Sequence, residues 1–263
     1  MQLSLNSTIK LNNGLEIPQL GFGTWELERD HALKPVSWAL DIGYRLIDTA
    51  AIYTNEKFVG KAIRESDIPR EDLFVTSKVW NTDQGYEKTL KAFDASLERL
   101  GLEYLDLYLI HWPHELPKET WKALEKIYEE GRAKSIGVSN FSIADLEEIL
   151  TNFDIVPAVN QIEMHPLKYA KNEQLIDFCQ EKDIKIEAYS PLTHGEELDY
   201  QKFEKVADNY DKSIPQVLIR WSLQHDFICI PRSSNEDHIK ENTDVFDFKL
   251  SEKDMNRLDS INK

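Results

Sequence analysis

The chain has 263 residues, 41% of them hydrophobic and 30% charged, a balance typical of a globular protein. Its formal net charge of −16 disfavours binding to nucleic-acid phosphates or to anionic lipid headgroups. The sequence shows neither a signal-peptide pattern nor an apolar run near the ~20 residues of a membrane span, and Cys179 and Cys229 lie in apolar contexts typical of free thiols. We therefore expect a cytoplasmic protein without membrane or nucleic-acid partners.

The first predicted element is a β-hairpin. The turn Asn12-Asn13-Gly14 separates the alternating runs Thr8–Leu11 and Leu15–Ile17, and Asn-Gly between such runs is a strong hairpin signal. We expect this hairpin to close the bottom of the fold.

Eight short apolar runs follow, rich in Val, Ile, Leu and Tyr, as strands covered on both faces should be. The predicted strands are Gln19–Gly23, Arg45–Asp48, Leu73–Val79, Leu105–His111, Ser135–Ser139, Ala158–Glu163, Lys185–Ser190 and Phe227–Pro231.

Helical periodicity separates these strands. One helix face carries Leu90, Phe93, Leu97 and Leu100. Another helix is expected to begin at Ser142, which forms a capping arrangement with Asp145, and a third at Pro215. Strict alternation of strand and helix predicts parallel strands, and eight units predict a single-domain (β/α)8 TIM barrel over residues 1–263. An open doubly wound sheet is the alternative, but the segment 21–25 after the first strand lacks the third glycine of its phosphate-binding turn.

Reactive groups of such a barrel belong at the carboxyl ends of the strands. Lys78 lies in an otherwise apolar strand, where a lysine must be paired or shifted in pKa, and Asp48 on the neighbouring strand can be its partner. The alternative is a buried ion pair that only fixes strand register.

Tyr53 favours a catalytic interpretation. A phenol has a pKa of ~10, and a nearby ammonium group is expected to lower it, which would suit protonation of a developing alkoxide. His111, at the end of the fourth strand, can donate a hydrogen bond to the same oxygen.

These four side chains can donate a proton but not a hydride, so a reduction needs a cofactor. Ser139, Asn140 and Gln161 offer polar groups for a carboxamide, and Tyr189 offers a flat face for a nicotinamide ring. Core packing is the alternative for Tyr189.

Several long motifs, in order along nearly the whole chain, resemble the aldo-keto reductase family. They are the segments at 43–50, 53–56, 109–113, 136–141, 160–163, 188–192 and 230–233. The resemblance implies a catalytic tetrad of Asp48, Tyr53, Lys78 and His111. It implies nicotinamide contacts at Gly23, Thr24, Ser139, Asn140, Gln161 and Tyr189, further cofactor contacts at Ser190 and Leu192, and no metal.

The adenosine end departs from the family pattern. NADP-selective members usually carry Lys-Ser and an Arg six residues after the Lys, where this chain has Arg232, Ser233 and His238. Glu241 and Asn242 match the adenine-side positions. Because a histidine supplies less positive charge than an arginine, we expect NADPH as the main cofactor with weakened discrimination against NADH.

The substrate loops at 111–121 and 191–200 are short, which resembles compact bacterial members. Trp25, Trp80 and Trp112 follow strand ends, and we expect them to line an open pocket for aldehydes, α-dicarbonyls or keto sugars. A monomer is the expectation from the family.

Two other functions compete with carbonyl reduction. A metal-dependent barrel hydrolase would need clustered His, Asp or Glu ligands, but the histidines are scattered. A non-catalytic, cofactor-binding interaction protein on the same fold would not need Asp48, Tyr53, Lys78 and His111 intact.

Overall fold

The computed structural model describes residues 3–195 and 201–262. Part of the predicted short loop between Pro191 and Tyr200 therefore lies outside the described residues.

The N-terminal hairpin is confirmed. Strands β1 (Thr8–Lys10) and β2 (Glu16–Pro18) pair antiparallel with Ile9 opposite Ile17. In the connecting turn, Asn12 Nδ2 donates to Pro157 O at 3.1 Å, and Asn13 Nδ2 donates to Lys134 O at 2.9 Å. Because both carbonyls lie just before barrel strands, the hairpin covers the amino-terminal ends of the barrel.

The described residues form an eight-stranded parallel sheet in chain order. Its strands are β3 (Phe22–Gly23), β4 (Leu46–Asp48), β5 (Phe74–Val79), β6 (Leu107–Ile110), β7 (Ile136–Ser139), β8 (Val159–Glu163), β9 (Lys185–Tyr189) and β10 (Ile228–Cys229).

The first and last strands meet and close the barrel. Leu20 bridges Cys229 in parallel, and Gly23 N donates to Pro231 O at 3.0 Å. A Cβ atom on Gly23 would lie 2.9 Å from Ile230 O, so this seam needs a glycine. The predicted (β/α)8 barrel is thus confirmed, although β3 and β10 are shorter than predicted because isolated bonds rather than a continuous ladder hold the seam.

Helices surround the barrel. They are α1 (Leu33–Ile42), α2 (Glu56–Glu65), α3 (Tyr86–Leu100), α4 (Pro117–Glu129), α5 (Ile143–Asn152), α6 (Pro166–Glu181), α7 (Gln201–Ala207), α8 (Ile214–Gln224), α9 (Glu236–Glu241) and α10 (Glu252–Asp259). As predicted, Ser142 and Asp145 form a capping box at α5; Ser213 and Gln216 form another at α8. Within the described residues, we find no helix that is both long and apolar enough to cross a membrane.

The barrel interior is layered, because inward-facing residues recur with a period of two. Its lower layer is apolar and includes Leu46, Phe74, Leu107 and Val159, packed on the hairpin residue Ile17. Two or four residues further along each strand, the interior becomes polar at the end opposite the hairpin.

Candidate active site

A cavity of about 1100 Å³ opens at the carboxyl ends of the strands. Most residues predicted for the site line it: Gly23, Trp25, Asp48, Tyr53, Trp80, His111, Trp112, Ser139, Asn140, Gln161, Tyr189, Ser190, Leu192, Arg232, Ser233, His238, Glu241 and Asn242. Lys78 and Thr24 lie beneath the lining and are fully buried. The Thr24 hydroxyl donates to Asp48 O at 2.8 Å, so this side chain holds the backbone of Asp48 in the cavity wall.

Lys78 is the centre of the polar layer. Its ammonium donates to Asp48 Oδ1 at 2.6 Å, to Thr49 O at 2.9 Å and to Tyr53 Oη at 3.5 Å. Burial opposes the charge, but Asp48 and the other oxygens outweigh it, so the pKa of Lys78 is raised. Lys78 thus stays a cation beside the phenol, as the sequence suggested.

The expected lowering of the Tyr53 pKa is wrong in its net direction. Burial raises the pKa of Tyr53 and exceeds the opposing effect of Lys78, while Asp48 raises it further. The sequence showed the ammonium but not how deeply the phenol is buried. Tyr53 consequently keeps its proton at neutral pH.

His111 stands beside Tyr53, with ring centroids 5.6 Å apart and planes at 77°, and its other neighbour is Trp80 at 5.1 Å. Burial, with a smaller effect from Lys78, lowers the pKa of His111 to about 2. The imidazole is therefore neutral, carrying one N–H donor. Among the described residues its Nδ1 has no hydrogen-bond partner.

The polar residues after β7 form a connected group. Asn140 has a left-handed φ of 62°, and its Nδ2 donates to Ser139 Oγ at 2.9 Å and to His111 O at 3.1 Å. Tyr189 Oη donates to Asn140 Oδ1 at 2.9 Å. These bonds fix the side chains and leave Asn140 Oδ1 with a lone pair that can accept from a ligand.

Gln161 links this group to the charged layer. Its Nε2 donates to Asp48 Oδ2 and to Glu187 Oε2, both at 2.9 Å. The two amide hydrogens are thereby used, so the amide oxygen is the atom left for the cavity.

The far end of the cavity carries Arg232, Ser233 and His238. Arg232 forms an ion pair with Glu26 and donates through Nε to Trp25 O at 3.0 Å. His238 lies exposed in the first turn of α9, where its backbone N donates to Asn235 Oδ1 at 3.2 Å. Arg232 and His238, which the sequence predicted as phosphate contacts, thus both line this end of the cavity.

Comparisons with known proteins agree with this geometry. Residues 19–263 match the model of the Aldo/keto reductase family. The chain belongs to the aldo-keto reductase family. It is 51% identical to glyoxal reductase of Bacillus subtilis (strain 168), with 100% of this chain and 95% of that protein covered. It is 49% identical to the 9,11-endoperoxide prostaglandin H2 reductase of Trypanosoma cruzi (strain CL Brener), covering 97% and 91%.

Two solved structures extend the comparison. An aldo/keto reductase from Brucella melitensis superposes with a TM-score of 0.92 at 49% identity, covering 97% of this chain and 98% of that one. An aldo-keto reductase from Bombyx mori in complex with NADP superposes with a TM-score of 0.90 at 35% identity, covering 98% and 93%.

As an aldo-keto reductase, this chain is expected to use NAD(P)H, and its residues fit that group. The oxygens of Gln161 and Asn140 can accept from a carboxamide, and Tyr189 presents a ring in the cavity wall. At the other end, the Arg232 guanidinium can bind a phosphate. Among residues 3–195 and 201–262, no cluster of three or more His, Cys, Asp or Glu side chains could hold a metal ion.

Two carboxylates that form hydrogen bonds with predicted site residues of this aldo-keto reductase were missed from the sequence. Glu187 faces the barrel interior two residues before Tyr189, and the period of two along β9 could have found it. Glu26 is an exposed loop residue whose contact with Arg232 spans more than 200 positions, so no local pattern indicates it.

Proposed function

We propose that this protein reduces aldehydes and ketones to alcohols with NADPH and that Tyr53 is the general acid. The observation that carries the proposal is the buried Lys78 ammonium, which contacts both the Asp48 carboxylate and the Tyr53 hydroxyl beneath an open cavity. A non-catalytic binding protein would not require a buried cation beside a phenol that opens on the ligand cavity.

Held by Gln161, Asn140 and Tyr189, the nicotinamide of NADPH would supply the hydride that the carbonyl carbon accepts. Tyr53 transfers its phenolic proton to the carbonyl oxygen as negative charge develops there. Lys78 stabilises the resulting phenolate, and Asp48 holds Lys78 in place. Neutral His111 donates its N–H to the same carbonyl oxygen, which orients the substrate.

Gln161 and Asn140 orient the nicotinamide through its carboxamide, and Tyr189 packs against the ring. Gly23, Ser139, Ser190 and Leu192 complete this wall. The Thr24 hydroxyl is buried and donates to Asp48 O, so Thr24 supports this wall through Asp48.

We propose NADPH as the main cofactor, with NADH also used. Arg232 can bind the 2′-phosphate, with Ser233, His238, Glu241 and Asn242 around the adenosine. A histidine supplies less positive charge than an arginine at neutral pH, and losing one charged hydrogen bond to phosphate costs about 1–3 kcal/mol. The preference for NADPH should therefore be modest.

The substrate end of the cavity is largely aromatic. Trp25, Trp80 and Trp112 line it together with Ile52, and Trp25, Trp112 and Ile52 are exposed. Such a wall suits uncharged carbonyl compounds, and we propose α-dicarbonyls, aromatic aldehydes and keto sugars. The 51% identity with a glyoxal reductase supports the dicarbonyl class.

The test is to follow oxidation of NADPH and of NADH by the purified protein with glyoxal, methylglyoxal, a nitrobenzaldehyde and a keto sugar. We expect turnover of the dicarbonyls, faster with NADPH. If neither cofactor is oxidised with any of these carbonyls, the proposed function is wrong.

A further inference from the structure

Glu187 is a fully buried carboxyl group that the proposed mechanism does not use. It lies in β9, directly beside Gln161 of β8 in the parallel register. Its Oε2 accepts from Gln161 Nε2 at 2.9 Å, while its Oε1 has no hydrogen-bond partner among the described residues. A buried carboxyl with one unused oxygen is costly to keep, so a space-filling role alone explains it poorly.

The groups that face Glu187 come from three strands of the barrel, of which only β8 is paired with β9. They are Asp48 of β4, Lys78 of β5 and Gln161 of β8. Burial, and then the Asp48 charge, raise the pKa of Glu187 to about 8, against weaker opposing effects of Gln161 and Lys78. At neutral pH the group is therefore mainly an uncharged acid that still offers an acceptor oxygen to Gln161.

The amide of Gln161 can meet these groups in only one orientation. Ionised Asp48 can only accept hydrogen bonds, so the amide nitrogen must face it. One bond to Asp48 would leave the amide plane able to rotate about that contact. The second bond, to Glu187, fixes the plane and leaves the amide oxygen on the cavity side.

We propose that Glu187 is a positioning residue, which holds the Gln161 amide so that its oxygen accepts a hydrogen bond from the nicotinamide carboxamide. The inference rests on the proposed function, because it places the nicotinamide beside Gln161. It also implies that cofactor recognition reaches one layer below the cavity wall.

The experiment compares two ligands that differ at the carboxamide. NADP⁺ has the amide N–H groups, whereas its 3-acetylpyridine analogue has a methyl ketone there and cannot donate. Dissociation constants of both are measured by quenching of tryptophan fluorescence. Variants are Glu187→Gln, which keeps the acceptor oxygen, and Glu187→Leu, which removes it. Glu56→Gln serves as a stability control, because Glu56 is another buried carboxylate, bonded to Ser77 and Arg99 on the outer side of the barrel.

We expect the wild type and Glu187→Gln to bind NADP⁺ more tightly than the analogue by similar ratios. In Glu187→Leu this ratio should fall by at least about threefold, which is the effect of losing one neutral hydrogen bond. The remaining preference for NADP⁺ is retained through Asn140. Glu56→Gln should keep the wild-type ratio even if it melts earlier, which separates positioning from general destabilisation.

An unchanged ratio in Glu187→Leu would overturn the inference, as would a wild type that binds both ligands equally. Glu187→Met, with the same criterion, replaces the leucine variant if that variant does not fold. Failure of the proposed function looks different, since the wild type would then not bind NADP⁺ or not turn over any carbonyl.

Discussion

The Asp48–Lys78 pair allows a prediction that separates catalysis from stability. Lys78 is 0% and Asp48 2% exposed, and their charged atoms lie 2.6 Å apart. Removing one partner, in Asp48→Asn or Lys78→Met, leaves a buried group without its counter-charge, which costs about 3–5 kcal/mol. Each single variant should therefore lose about that much free energy of unfolding.

The double variant removes both charges together. Its remaining costs are neutral groups without partners, namely Thr49 O, which loses the Lys78 donor, and the new amide N–H of Asp48→Asn, and each such group costs about 1–3 kcal/mol, less than an unpaired buried charge. The double variant should therefore be more stable than either single variant. Its activity should nevertheless stay low, by about 100-fold or more, because Tyr53 has lost the ammonium that stabilises its phenolate.

Urea denaturation followed by tryptophan fluorescence gives the stabilities, and NADPH oxidation with methylglyoxal gives the activities. Two results would refute the reasoning. If the double variant is as unstable as the sum of the singles, the charges are not coupled. If it regains activity along with stability, the pair only supports the fold.

Three further predictions concern the pH profile of catalysis, the pH dependence of stability and the preference for NADPH. Because burial and Lys78 lower the pKa of His111 from 6.5 to about 2, the pH profile of kcat/KM should show no transition near pH 6.5 that depends on His111. A transition near pH 6.5 that disappears in His111→Asn would contradict a neutral imidazole. The folded state raises the pKa of Glu187 from 4.5 to about 8, so protonation of Glu187 favours folding. This stabilisation is complete below pH 4.5 and is lost as the pH rises through about 8. Thermal melts from pH 5 to about 9 should accordingly show Glu187→Gln gaining stability relative to the wild type as the pH rises, by up to a few kcal/mol, and parallel curves would show that burial does not penalise the charge. His238→Arg should lower KM for NADPH by about tenfold without changing KM for NADH, and an unchanged ratio of the two would mean that His238 does not face the 2′-phosphate.

The sequence predicted the barrel because its signals are local and repeated. Each strand is a short apolar run, and each change from apolar to polar two or four residues later marks the end that faces the cavity. Leu46 and Asp48, Leu109 and His111, and Val159 and Gln161 all follow this pattern. β9 does not follow this pattern, because the residue two positions before Glu187 is Lys185; Glu187 is found only by counting back two residues from Tyr189.

Other features depend on distances that no local pattern contains. The net direction of the Tyr53 pKa depends on how far burial exceeds the effect of Lys78, which only the packed structure shows. The contact of Arg232 with Glu26 joins two loops across the cavity mouth, and a ligand can rearrange the half-buried Arg232 and the exposed Glu26.

The most direct test of the account is the activity of Tyr53→Phe. This change removes the hydroxyl that Lys78 Nζ contacts at 3.5 Å and leaves the aromatic ring beside His111 in place. We predict that NADPH binds as in the wild type, while kcat for methylglyoxal falls by about 100-fold or more. Full activity of Tyr53→Phe would contradict the assignment of Tyr53 as the proton donor.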